Sequence, residues 1–177
     1  MLTTAVMFAA GFALYAQPPA PAPATPPPPA TEATVLKRSY NSIKANLTKA
    51  ADRMPEDQYG FQPSPDIRTF GALIAHIADV QAGTCARVAG SPAPPSAGKM
   101  TAKADLVAAL KASFDVCDGV FNGLTDGDAG KMVAAGRGQS SEFATLWGLI
   151  IGHSNEEYGY LSVYMRLKGI VPPSTQP

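Results

Sequence analysis

The sequence predicts an all-α fold, a four-helix bundle behind an amino-terminal extension of different character. Three observations carry this prediction. From residue 34 onward, apolar side chains recur at steps of three and four, the period of an amphipathic helix. Four such stretches are separated by segments rich in proline or glycine. No segment of strand length alternates apolar with polar residues, and no internal repeat is visible. With 177 residues and 46% hydrophobic content, the chain is long enough to bury one core.

The extension comes first. Residues 1–31 carry no charged side chain, and residues 5–14 form an apolar run followed by Ala13-Leu14-Tyr15-Ala16-Gln17. This is the size of a secretory h-region with a cleavage point after Ala16, so residues 1–16 are expected to be a signal peptide. The run is short of the ~20 apolar residues of a spanning helix, so no stable membrane span is expected after cleavage. Residues 17–33 read as a linker, because eight of the chain's seventeen prolines fall within 17–30, mixed with alanine. Proline removes backbone donors and favours extended polyproline II, which makes a semi-rigid tether. The expected location is therefore exported, periplasmic or extracellular, or cytoplasmic where the signal is not used.

The globular part is expected over residues 34–174. The first helix, about 34–53, carries Leu36, Tyr40, Ile43, Leu47 and Ala51 on one stripe and ends at Met54-Pro55. Pro63 and Pro65 make 56–68 irregular. Thr69 caps a second helix that runs to about Val88 and stops near Gly90. Thr101 opens a third, with Leu106, Leu110, Phe114, Cys117, Phe121 and Leu124 inward. Residues 126–138 read as a glycine-rich loop, in which Asp126-Gly-Asp128 lacks the further oxygen ligands of a calcium site and is a turn. Ser140 or Ser141 caps the fourth helix, which runs to Lys168, with Gly169 at C′ and Pro172-Pro173 behind it.

Charge and motifs narrow the function. Formal net charge is zero and no Lys/Arg run is interleaved with aromatics, so no nucleic-acid partner is expected. There is no glycine-rich phosphate loop and no G-x-S-x-G elbow. What remains is the placement of the only two histidines. His76 follows Leu73 on a stripe continued by Ile77 and Val80. His153 lies on Leu146, Ile150, His153, Glu157, Leu161 and Tyr164, where Glu157 is its i+4 neighbour with Cβ atoms roughly 5–6 Å apart. An unpartnered buried carboxylate costs several kcal/mol. A divalent metal held by His76, His153 and Glu157 would neutralise it. So would protonation of Glu157 or an ordinary ion pair, and a histidine on an apolar stripe is often a core residue bonded to a backbone carbonyl.

The stretches Arg68-Thr-Phe-Gly-Ala-Leu-Ile-Ala-His76-Ile-Ala-Asp79, His153-Ser-Asn-Glu-Glu-Tyr-Gly159 and Tyr164-Met-Arg-Leu-Lys-Gly169-Ile-Val-Pro-Pro together resemble the DinB/YfiT-like family of helix-bundle proteins, over about 34–174. The resemblance implies a divalent metal, zinc or nickel, bound by one histidine on the second helix and an H-x-x-x-H pair on the fourth. His76 and His153 match the first two ligands, whereas the third position is Glu157. A 2-His-1-carboxylate site keeps open positions and also admits iron or manganese; equally, the site is degenerate and Glu157 faces solvent. The activity implied is that of a metal-dependent hydrolase or transferase acting on a small molecule not named by the sequence, with a homodimer as the assembly some members form. Thiol-dependent transfer fits poorly with export, since small thiols act mainly in the reducing cytoplasm. Glu156 and Tyr158 flank Glu157 and are weak candidates for a general base or a substrate contact, set against a solvated acid and a packed phenol. The alternative function is a non-catalytic exported binding bundle with its metal site lost at Glu157.

Cys85 and Cys117 are the only cysteines, on helices two and three. They are read as buried thiols, as a disulfide in an oxidising compartment, or, third, as metal ligands.

Overall fold

The computed structural model describes residues 29–135 and 138–175; the expected signal peptide and most of the linker lie outside them. Helix α1 is Glu32–Arg53, α2 is Phe70–Ala89 and α3 is Lys103–Gly123. Glu142–Thr145, Leu146–Gly152 and His153–Leu167 run on as one helix, α4 (residues 142–167), whose middle segment is π-helical. Among the described residues no helix is long and apolar enough to cross a membrane.

Helix α1 starts two residues earlier than the periodicity indicates. Thr31 accepts from the Thr34 amide, and the Ala33 amide donates to Asp126 Oδ1 at 2.9 Å. These bonds satisfy amides that a free helix end leaves unpaired, and the second ties α1 to the turn after α3. That turn, Asp126–Asp128, is a short 3₁₀ segment, as expected of it, and another, Glu56–Gln58, interrupts the loop before α2.

Thr69 caps α2 by accepting from the Ala72 amide, and Gly90 ends it with φ +65°. Gly169 holds φ +72° just past α4. Both need the left-handed conformation that only glycine adopts without penalty. Thr101 does not cap α3; Ala102 stands at the cap without a side-chain bond.

Residues 126–138 are not all loop. Met132–Ala135 and Gly138–Ser141 form an antiparallel hairpin with Met132 opposite Ser141, where no strand was expected. Four-residue strands, of which only Val133 is buried, leave no alternating pattern to read. The hairpin hands the chain directly to Ser141, which caps α4 by accepting from the Ala144 amide.

The predicted stripes do form the core. Leu36, Tyr40, Ile43 and Leu47 of α1 meet Leu106, Leu110, Phe114 and Phe121 of α3, and Leu146, Ile150 and Leu161 of α4. Helix α2 is buried on most sides. A disulfide joins Cys85 of α2 to Cys117 of α3, with Cα atoms 5.1 Å apart. Of the three readings left open for these thiols, the structure takes the disulfide.

Candidate metal centre

His76 stands two turns into α2, and His153 is the first residue beyond the π-helical segment of α4. There the His153 amide donates to the Gly148 carbonyl, five residues back. A π turn widens the helix by one residue and re-aims the side chains beyond it, and such turns are often found at functional sites. Here it delivers His153 and Glu157, one α-helical turn apart, to the face that meets α2. Deeper in the same interface, Gln81 Nε2 donates to Ser154 Oγ at 3.2 Å, both side chains buried. This bond fixes α2 against α4 next to His153.

The predicted residues converge. His76 Nε2 lies 3.1 Å from His153 Nε2 and 3.6 Å from Glu157 Oε1, and His153 Nε2 lies 3.5 Å from the same oxygen. Neither histidine is within good hydrogen-bonding reach of the carboxylate. The circle through three atoms so spaced has a radius of about 2.0 Å, which matches the ~2.0–2.2 Å of zinc bonds to imidazole and carboxylate. The set of two imidazoles and one carboxylate could hold a divalent cation among these three atoms, leaving further coordination positions free.

The polar groups are poorly satisfied by the protein alone. Glu157 is 7% exposed at its side chain, and its Oε2 has no partner; neither has the buried His153 Nδ1. If both rings are neutral, only one can donate across the 3.1 Å contact, so no tautomer pairs every nitrogen. The His153 pKa is lowered, chiefly by burial; Glu157 works against this and His76 with it. His153 is thus held as the neutral imidazole that a metal requires. Glu157 facing solvent, one of the sequence alternatives, does not occur.

Glu156 and Tyr158 stay away from this point. Glu156 is exposed and accepts from Tyr160 Oη at 2.9 Å, while the buried Tyr158 exchanges bonds with Ser174. They are the solvated acid and the packed phenol.

Two cavities open on either side of the cluster, and the sequence indicated neither. One, of about 520 Å³, runs from His76 past Tyr59, Asp79 and Met100. The other, of about 640 Å³, runs from Glu157 past Leu73, Tyr164, Tyr160 and Ile67. Arg68 lines both. It sits in the family-like stretch immediately before the α2 cap, which is the one sequence signal that points to it.

Fold and site together define a helix bundle with a possible cation-binding group between α2 and α4. The family is established by comparison: the DinB superfamily model matches residues 39–161, and the chain belongs to that superfamily. A solved DinB-like protein from Bacillus cereus ATCC 10987 has the same fold, with a TM-score of 0.61 at 19% identity, covering 80% of this chain and 95% of that one. No curated protein matches the chain.

Proposed function

We propose that this protein is a metal-dependent enzyme of the hydrolase or transferase class, acting on a small molecule with a divalent cation held by His76, His153 and Glu157. The observation that carries the reading is the convergence of three donor atoms 3.1–3.6 Å apart with a buried carboxylate oxygen left unpartnered. A binding protein with a decayed site has no reason to retain that spacing or to bury an uncompensated charge. When bound, such a cation supplies Lewis acidity and makes a nucleophile available near neutral pH.

The chain's own residues account for the rest. His76 and His153 contribute neutral nitrogens from two helices, so cation binding clamps α2 to α4. Glu157 brings the one negative charge, and its partial shielding from water strengthens its hold. The side chain of His76, 30% exposed, leaves a way in from its cavity. Zinc and nickel are the first candidates, with iron and manganese behind them. Metal analysis of purified full-length protein, stripped with chelator and then reloaded, tests the reading: one equivalent is expected, and none in His76→Ala or His153→Ala. Failure to bind any of the four metals would return the protein to the class of non-catalytic bundles.

Export is part of the same reading. Its support is the Cys85–Cys117 disulfide, a bond that persists in oxidising compartments. Intact mass of the protein from its own host is expected to lack residues 1–16; a cytoplasmic product retaining Met1 would refute it.

A further inference from the structure

Arg68 is held firmly at its backbone and left free at its guanidinium. Its carbonyl accepts from Tyr164 Oη at 2.7 Å, and the next residue is the α2 cap Thr69. Among the described residues no carboxylate lies within ion-pair distance of its side chain, which is exposed. An arginine anchored in this way, at the mouth of both cavities beside the metal centre, has little to do for the fold.

The cleft on the Glu157 side has the make-up of a ligand site. Its volume of about 640 Å³ is within the ~300–1,000 Å³ of small-molecule pockets. Leu73 and Tyr164 form its buried floor, and Ile67 and Tyr160 its exposed rim. Tyr160 is pinned by its bond to Glu156. Glu156 stands outside the cleft, exposed and bonded to Tyr160 at its rim; the charged groups that line the cleft itself are Glu157, Arg68 and Asp66. With a divalent cation on Glu157 and neutral imidazoles, these sum to one positive charge, which is balanced by one negative charge on a ligand.

We propose that this cleft binds a small monocarboxylate with an apolar body, its carboxylate taken by the Arg68 fork and its body laid against Leu73, Tyr164 and Ile67. The planar guanidinium matches a carboxylate with two parallel hydrogen bonds. The apolar wall selects against small hydrophilic acids, and the ligand's far end points to the metal centre. This deepens the proposed metal-dependent function and rests on it for the charge count.

Benzoate and its neutral isostere benzamide are the probes, titrated calorimetrically into the zinc-loaded full chain. Benzoate is expected to bind at least tenfold more tightly than benzamide. Arg68→Gln is expected to remove that preference by weakening benzoate alone, and Arg68→Lys to restore part of it. Since Arg68 is exposed, zinc content and helical circular dichroism should be unchanged in both variants. Zinc uptake with no benzoate binding, with no preference over benzamide, or with equal binding by Arg68→Gln overturns the proposal and leaves the metal centre standing. Failure to take up zinc, nickel, iron or manganese overturns the metal centre, and this proposal with it.

Discussion

Two polar clusters bridge neighbouring helices in this bundle, and they are built on opposite terms. Between α1 and α3, Tyr40 Oη donates to Asp118 Oδ1 at 2.7 Å and Lys44 Nζ donates to both oxygens of the same carboxylate. Charges balance, and Asp118 is 32% exposed at its side chain, so water supplies whatever the protein does not. Between α2 and α4, a carboxylate 7% exposed at its side chain faces two imidazoles that give it no good hydrogen bond. One of its oxygens and one ring nitrogen have no partner. A cluster that serves the fold is closed upon itself. The α2–α4 cluster is open, with buried polar atoms that no other described group of the chain pairs.

The largest expected effect separates the clusters directly. A ligand present at a thousandfold excess over Kd stabilises the folded state by about 4 kcal/mol, or roughly 10 °C in Tm for a domain of this size. Adding zinc, nickel or manganese should raise Tm on this scale in the wild type and in Asp118→Ala, and not at all in His76→Ala or His153→Ala. Glu157→His should keep or tighten zinc binding, because it exchanges the carboxylate for a third imidazole. A metal response that survives loss of either histidine would erase the distinction between the clusters.

The disulfide sharpens it from another side. Cys85 and Cys117 are 32 residues apart, and on the chain-entropy model such a cross-link is worth about 3–4 kcal/mol. Replacing both with serine should destabilise the metal-free protein by about that free energy, which lowers Tm by roughly 10 °C. The bond ties α2 to α3 while the centre lies between α2 and α4, so the further rise on adding metal should persist. Differential scanning calorimetry with and without zinc reads both quantities.

Within the clusters themselves, neutralising each carboxylate should have opposite consequences. Asp118→Ala strips the partner from a buried phenol and a lysine, and loss of such hydrogen bonds costs about 1–3 kcal/mol. Glu157→Gln removes a shielded and poorly paired charge. Metal-free Glu157→Gln should therefore be at least as stable as wild type to chemical denaturation, while its zinc affinity falls. A destabilised Glu157→Gln would mean that the carboxylate already serves the fold.

Much of this is legible in the sequence, because helical periodicity and core burial are the same fact read twice. The stripe from Leu146 to Tyr164 predicts both α4 and the inward placement of His153 and Glu157, and the α2 stripe does the same for His76. Thr69, Ser141, Gly90 and Gly169 mark helix ends through their own chemistry. The hairpin is not legible, since strands of four residues with a single buried side chain, Val133, have no pattern to repeat. The π-helical turn is hidden because an inward stripe looks the same whether a turn takes four residues or slightly more. For Arg68 the sequence offers only its place in the family-like stretch, because a guanidinium without an ion-pair partner is defined by what it does not touch, and only coordinates reveal that.

The smallest expected effect is a difference in acid response, and it arises from Asp118. Burial acts to raise its pKa, but hydrogen bonds from Lys44 and Tyr40, with the Lys44 charge, outweigh it and leave the pKa lowered. A carboxylate whose pKa is lower folded than unfolded contributes stability that is fully present above the unfolded value. That contribution fades as pH falls through the folded one. The unfolded value is about 3.9, so the loss belongs below roughly pH 4. Unfolding of the metal-free protein, followed by circular dichroism between about pH 5 and pH 2.5, should show stability falling with acid. Asp118→Asn, less stable at neutral pH, should show a shallower fall, its curve converging on the wild type at the acid end. Curves that stay parallel would mean that Asp118 is no better held in the folded protein than in the unfolded chain, and the closed cluster would lose its claim to be the structural one.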